Sequence, residues 1–328
     1  MRAIIVRSLG EPDVMKLETV AVPAIAADQV LVKVDYAGIN PVDTYIRAGA
    51  FGKAPPLPYT PGKDGAGVVH ITGSAVTHVK AGDTVWFCTI PPWPYGTYAE
   101  FAVVKKSNVW PLPAAATTRA GAALGVPFLT AYRALIIKGN AHAGQSVLVH
   151  GASGAVGQAC VQIAKKEGLT VAATAGSEAG KDILRELGVE HVFNHRSQGY
   201  VDHIRAKFPQ GVDLIVEMLA DRNLGEDCTL LTNNGHILVV GNRGSSQLNT
   251  RPLMMVEGSI TGVALMAASS TEWEAGAQYV LKGVSEGWLK PRVAKEYALK
   301  DAAQAHIDIM DPKSGSTGKL LLRVKNNS

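Results

Sequence analysis

The sequence predicts an α/β protein in which a turn-rich β domain precedes a doubly wound parallel sheet. Three observations predict it. The chain has 328 residues, more than one hydrophobic core usually spans. Its texture changes near Leu124, from short strands punctuated by Gly and Pro to apolar runs alternating with helical stretches. A cluster of glycines, Gly151, Gly154 and Gly157, lies between one such apolar run and an amphipathic helix.

In chain order, "QVLVKVDYAGIN", "GAGVVHITG", "GDTVWFC" and "YAEFAVV" read as the strands of the first domain. Beyond it, "SVLVH" leads into a helix from about Gly154 and "LTVAATA" into one from about Ser177. "GVDLIVEML" leads into one near Asp221, and "GHILVVG" and "SITGVAL" close the series. Strands alternating with helices in this way imply βαβ units and a parallel sheet. The helices "EWEAGAQYVLKGVSEG" and "DAAQAHIDIM" and a last strand, "KLLLRV", follow. The expected boundaries are 1–123, 124–265 and 266–328.

Composition narrows the function. With 47% hydrophobic and 18% charged residues this is an ordinary globular chain. A net charge of +4 without basic runs longer than Lys105-Lys106 or Lys165-Lys166 suits anionic small molecules as well as nucleic acid. Cys88, Cys160 and Cys228 are odd in number and outside any CxxC spacing, which predicts a reducing, cytoplasmic setting. No stretch approaches the roughly 20 apolar residues of a membrane span, and the N-terminus lacks a secretory apolar region.

The glycine turn predicts dinucleotide binding. Ala152 stands where a strict G-x-G-x-x-G has its first glycine, followed by Gly154 and Gly157. Small residues there permit a tight turn, backbone approach to a pyrophosphate and close helix-strand packing, with the helix amides aimed at the phosphates. An NAD site carries Asp or Glu roughly 20 residues on, at the end of the second strand. Here that place holds Gly176 and Ser177. The missing carboxylate favours NADPH, with Lys181 and Ser177 as partners of the 2′-phosphate; Glu178 stands close enough to act as a displaced acid. His191 and His195 flank one short strand, the first as a packed residue and the second as a cofactor neighbour.

The blocks "GINPVDTYIRAG", "LPYTPGKDGAGVV", "GVPFLTAYRAL", "VLVHGASGAVG", "VDLIVEMLA" and "GHILVVGNRG" occur together in this order. With them the chain resembles, over nearly its whole length, the zinc-free quinone oxidoreductase branch of the medium-chain dehydrogenases, the zeta-crystallin group within it above all. The resemblance implies a GroES-like catalytic domain, a Rossmann domain, and a C-terminal segment that returns to the catalytic domain. It also implies where zinc relatives place their catalytic ligands. Those positions hold Asn40, Lys63 and Val126, an amide, an ammonium and an isopropyl group, so no metal is expected. Without a Lewis acid, the chemistry left is reduction of an electrophile that takes hydride unaided, a quinone or a conjugated enone.

Asn40 and Tyr45 are the expected hydrogen-bond donors to the acceptor oxygen, with Tyr45 also near the nicotinamide and solvent as the source of the last proton. The resemblance lines the cofactor with Ser153, Gly154, Ala155 and Val156 at the phosphates, and with Gly176, Lys181 and His195 around the adenosine. Asn223, Val240, Gly241, Asn242, Arg243, Val263, Ala264 and Leu265 follow along the nicotinamide half. Departures from the branch pattern are Ala155 for a glycine, Lys63, which either pairs with Asp64 or biases the site toward anionic acceptors, and Trp93 and Tyr95 beside the acceptor pocket. Quinone and enone or alkenal reduction are not separated by these residues. The resemblance also raises a homo-oligomer, dimer or tetramer, joined near "SITGVAL", and an AU-rich RNA-binding or structural role, for which the residues offer no basic stripe interleaved with aromatics.

Overall fold

The computed structural model describes residues 1–52, 54–89, 95–311 and 317–325. Contacts separate two units, Met1–Val126 with Ala277–Ser314 and Gly318–Ser328, and Pro127–Gly276 with Gly315–Thr317. The divisions stand at 126/127 and 276/277, against the expected 123/124 and 265/266. Each falls inside a helix, Gly125–Tyr132 and Ser270–Ser285, so no change of composition marks it.

In the first unit the strand Gln29–Ile39 is the organising element. It is rich in β-branched residues, buries Val30, Val32 and Val34, and pairs with three neighbours. Phe101–Lys105 lies along its first half, Asp64–Thr72 along its length, and Lys319–Arg323 along its last residues. Register shifts between Leu31 and Val32 and between Val34 and Tyr36 let one strand bend to serve all three. The spatial order is Val293–Ala298, Lys319–Arg323, Gln29–Ile39, Asp64–Thr72, Thr84–Cys88, Val109–Pro111. Val32, Ile39, Phe87, Tyr98, Ala302 and Leu322 share one core, so the C-terminal segment completes the first unit's hydrophobic interior.

That register also places chemistry. Gly38 pairs with Asp64 and Ile39 with Leu320, so Asn40, Asp64 and Lys319 meet at one end of three adjacent strands.

The second unit is a six-stranded parallel sheet in the order His191–Asn194, Thr170–Ala175, Ser146–Val149, Val212–Glu217, Leu231–Val239, Ser259–Gly262. Its central strands are buried on both faces, which is why they read as continuous apolar runs. The order reverses beside Ser146–Val149, and such a switch point opens a crevice at the carboxyl ends of the strands. The helices expected near Gly154, Ser177 and Asp221 are Ala155–Lys166, Glu178–Glu186 and Ala220–Asp227.

Candidate active site

In the first unit a short helix, Pro41–Arg47, starts at Asn40 with a proline in its first turn and an acid, Asp43, that accepts the Asn40 backbone N–H at 2.9 Å. The Asn40 side chain turns to the neighbouring strands. Its Nδ2 donates to Asp64 Oδ2 at 3.0 Å, and its Oδ1 accepts from Lys319 Nζ at 2.5 Å. Lys319 also donates to Asp64 Oδ2 at 2.7 Å, and the Val126 N–H reaches Asp64 Oδ1 at 2.8 Å. Asp64, Lys319 and Asn40 are 0%, 2% and 3% exposed, so this is a dry ion pair with an amide bridging it. Two positions at which the resemblance puts zinc ligands, Asn40 and Val126, thus surround a carboxylate that an ammonium already holds.

Asp43 lies beside this pair. Burial raises its carboxyl to about 6, against the pull of Lys63. Tyr98 donates to Asp43 at 3.4 Å and meets His306 Nε2 at 3.1 Å, and burial with Arg47 nearby drops the imidazole to about 3, so His306 is neutral. Tyr45 is half-buried on the same helix. Tyr95 is 42% exposed and bridges to Thr60, whereas Trp93 lies outside the described residues.

In the second unit the glycine turn follows Val149. Gly151, not the following position, takes the left-handed conformation (φ +55), while Ala152 is fully buried and donates to the Thr174 carbonyl at 2.8 Å. Ala152 therefore meets a demand for small size. A Cβ on Gly157 would lie 2.5 Å from the Ala152 Cα, so this glycine lets the helix touch the turn. Gly154 is the N-cap of Ala155–Lys166, and no side chain caps that end. The first-turn amides of Ala155, Val156 and Gly157 are left for an anion.

Parallel pairing of Asn194 with Ala175 puts His195 next to Gly176. His195 Nδ1 meets Thr174 Oγ1 at 3.2 Å, and burial lowers its pKa. A Cβ on Gly176 would lie 2.6 Å from His195 Nε2 and 2.9 Å from Arg196 Nε, so Arg196, not expected from the sequence, joins this end. Ser177 caps the helix Glu178–Glu186 by accepting from the Gly180 N–H, and Lys181 pairs with Glu178 at 2.7 Å.

Three of the residues expected along the nicotinamide half, Asn223, Val240 and Gly241, bond to one residue that the sequence reading missed, Glu217. Glu217 ends its strand fully buried. Its carboxylate accepts Leu219 N–H and Asn223 Nδ2, and its carbonyl accepts the N–H groups of Val240 and Gly241. Asn242 bonds Gly244, and the Arg243 N–H reaches Asp221 Oδ1 at 2.9 Å. Val263 donates to the Val239 carbonyl, Ala264 is exposed, and Leu265 starts a single turn. Behind Glu217 lie His150 and Asp227, Nε2 to Oδ1 at 2.8 Å, and His150 continues to Thr174 at 3.5 Å. Burial opposes charge on His150, but Asp227 and Glu217 raise its imidazole above the ordinary value.

Such a pair of units, a β unit built on one long strand and a parallel sheet with an open glycine turn at its switch point, defines the medium-chain dehydrogenase/reductase class. Residues 26–114 match the family model for the alcohol dehydrogenase GroES-like domain, and residues 155–282 that for zinc-binding dehydrogenase. The chain is 47% identical over 325 residues to a rat quinone oxidoreductase, covering 98% of this chain and 97% of that protein. It is 44% identical over 324 residues to a human quinone oxidoreductase, with 98% and 97% covered. A quinone oxidoreductase structure from Pseudomonas syringae pv. Tomato DC3000 superimposes with a TM-score of 0.89 at 25% identity, covering 98% and 99%. The chain belongs to the quinone oxidoreductase family and is an oxidoreductase that works with a nicotinamide cofactor. No helix of the described residues is long and apolar enough to cross a membrane.

Proposed function

We propose that the chain reduces quinones with NADPH and does so without zinc. The observation that carries this reading is the Lys319 ammonium bonded to Asn40 and Asp64. Catalytic zinc needs three anionic or imidazole ligands converging on an open position. The donors here are an amide, an engaged carboxylate, a backbone N–H and two lysines, a set that does not fit the ion. The names of the relatives support quinones as the acceptor class.

The residues of the second unit fit a dinucleotide, which supplies a hydride when bound. Ser153, Gly154, Ala155 and Val156 would hold the pyrophosphate on uncapped amides, and Arg196 with Lys181 the 2′-phosphate beside Gly176 and Ser177. The absence of a carboxylate at Gly176 supports NADPH over NADH. His195 would flank the adenosine. Asn223, Val240, Gly241, Asn242, Arg243, Val263, Ala264 and Leu265 would line the nicotinamide half. In the first unit Tyr45 and the second Nδ2 hydrogen of Asn40 are the donors for the acceptor oxygen as it gains charge. With Lys319 fixing its Oδ1, Asn40 can only present N–H outward, and solvent delivers the last proton.

Three free, buried thiols support a reducing compartment such as the cytoplasm. Ser259–Gly262 is the edge of the parallel sheet, and two copies pairing along it would give the homo-oligomer.

Purified protein is expected to oxidise NADPH with an ortho-quinone, faster than NADH, and equally with or without a chelator. Loss of turnover to the chelator would end the zinc-free reading. In Arg196→Ala the KM for NADPH is expected to rise about tenfold while that for NADH stays within twofold, the worth of one charge-assisted phosphate contact. Equal changes for both cofactors would remove Arg196 from the phosphate site.

A further inference from the structure

Beside the Asp64–Lys319 pair the first unit contains a second buried lysine with a different fate. Lys63 is 7% exposed, and among the described residues its ammonium has neither a hydrogen-bond nor an ion-pair partner. The backbone holds it firmly. Gly62, left-handed at φ +97 and with its Cβ position facing Thr97 and the Tyr98 ring, admits no side chain before it. The Lys63 carbonyl accepts both the N–H and the hydroxyl of Thr89, at 2.8 and 3.3 Å.

The carboxylates nearby are taken. Asp64 accepts from Lys319, Asn40 and Val126, and Asp43 from Asn40 and Tyr98. Burial lowers the Lys63 pKa, as it must for a cation with no contacting anion. Lys63 lines a pocket together with Asp43, Tyr59, Thr60, Thr89 and Gly96. Tyr59 is 5% exposed, and its hydroxyl is likewise buried without a hydrogen-bond partner among the described residues. Two donors, the Lys63 ammonium and the sealed Tyr59 hydroxyl, thus line the same pocket without a protein acceptor among the described residues. A buried polar group in that condition costs about 1–3 kcal/mol, more when charged, and an anion supplied by a ligand relieves it.

We infer that this pocket selects quinones bearing an anionic substituent, which Lys63 holds by charge and Tyr59 by a hydrogen bond. The inference rests on the quinone reading above and names a substrate class within it.

The test compares 1,2-naphthoquinone with its 4-sulfonate, measuring kcat/KM for wild type, Lys63→Met, Lys63→Arg and Tyr59→Phe. The sulfonate-to-neutral ratio is expected to fall about tenfold in Lys63→Met, about threefold in Tyr59→Phe, and less than threefold in Lys63→Arg. An unchanged ratio in Lys63→Met overturns the inference, because a purely structural role lowers both substrates together. Calorimetric titration with redox-inert 1-naphthalenesulfonate keeps the two readings apart. Binding that weakens about tenfold in Lys63→Met supports the anion site even where neither quinone oxidises NADPH, a result that would defeat the quinone reading alone. Equal binding by wild type and variant defeats the anion site.

Discussion

Asp64→Leu is expected to destabilise the first unit by about 3–5 kcal/mol, because it strands the Lys319 ammonium in a dry interior. The carboxylate receives Lys319, Asn40 and the Val126 N–H, and a leucine accepts none of them. Both members of the ion pair are essentially sealed from water, so solvent does not compensate the loss. Burying two charges is itself costly, and a well-packed apolar pair of similar volume is often no less stable. The double variant Asp64→Leu/Lys319→Met is therefore expected to recover most of the stability, leaving the unpaired Val126 N–H and Asn40 amide at about 1–3 kcal/mol. Equilibrium denaturation of the four proteins in the cycle gives the coupling directly. A single variant within about 1 kcal/mol of wild type would mean that water enters the pair and that its dry geometry is wrong. Activity should not follow stability in the double variant, since Asn40 loses both side-chain partners that fix its amide.

The reason for this pair was not legible in the chain. Asp64 stands next to Lys63 in "LPYTPGKDGAGVV", but its partner lies 255 positions away, at the start of the apolar strand "KLLLRV". Only the strand register, Gly38 on Asp64 and Leu320 on Ile39, unites them. Arg196 was hidden in the same way, since its place beside Gly176 follows from the pairing of Asn194 with Ala175. The parallel strands themselves were legible because burial on both faces leaves apolar runs without alternation. The helix Pro41–Arg47 went unread although Asn40, Pro41 and Asp43 are start signals, because seven residues hold too few turns for a periodic pattern. The glycine turn follows its strand and opens its helix where the spacing predicts it, and at Ala152 small size is what the turn requires, the left-handed residue being Gly151.

Glu217 combines two demands that the variants Glu217→Leu and Glu217→Gln separate. The acid carries the Leu219 N–H and the Asn223 amide on its carboxylate, and stands against His150 and Asp227. In Glu217→Leu those donors lose their acceptor just where the expected cofactor residues Asn223, Val240 and Gly241 gather. NADPH affinity, followed by fluorescence titration, is expected to fall about 10–100-fold, the worth of one to two hydrogen bonds lost in a buried network. Affinity within twofold of wild type would detach this network from cofactor binding.

Glu217→Gln keeps the acceptor oxygen and replaces the proton by an amide N–H, so its affinity should hold while its pH dependence changes. Burial raises the Glu217 carboxyl to about 8, with Asp227 adding to the effect and His150 opposing it. Between the ordinary glutamate value and that point the native protein keeps a proton that the unfolded chain has released, so this group's contribution to stability falls as pH rises. Glutamine has no such proton to lose. Wild type and Glu217→Gln are expected to match near pH 5, and the variant to be more stable by on the order of 1–3 kcal/mol at pH 8.5. His150, opposed by burial but raised above its usual pKa chiefly by Asp227, also loses stabilisation as pH rises, and the Asp227 part of that effect is common to both proteins and cancels in the difference. A difference that does not grow with pH would mean that Glu217 is ionised in the native protein at neutral pH, its charge balanced by a protonated His150.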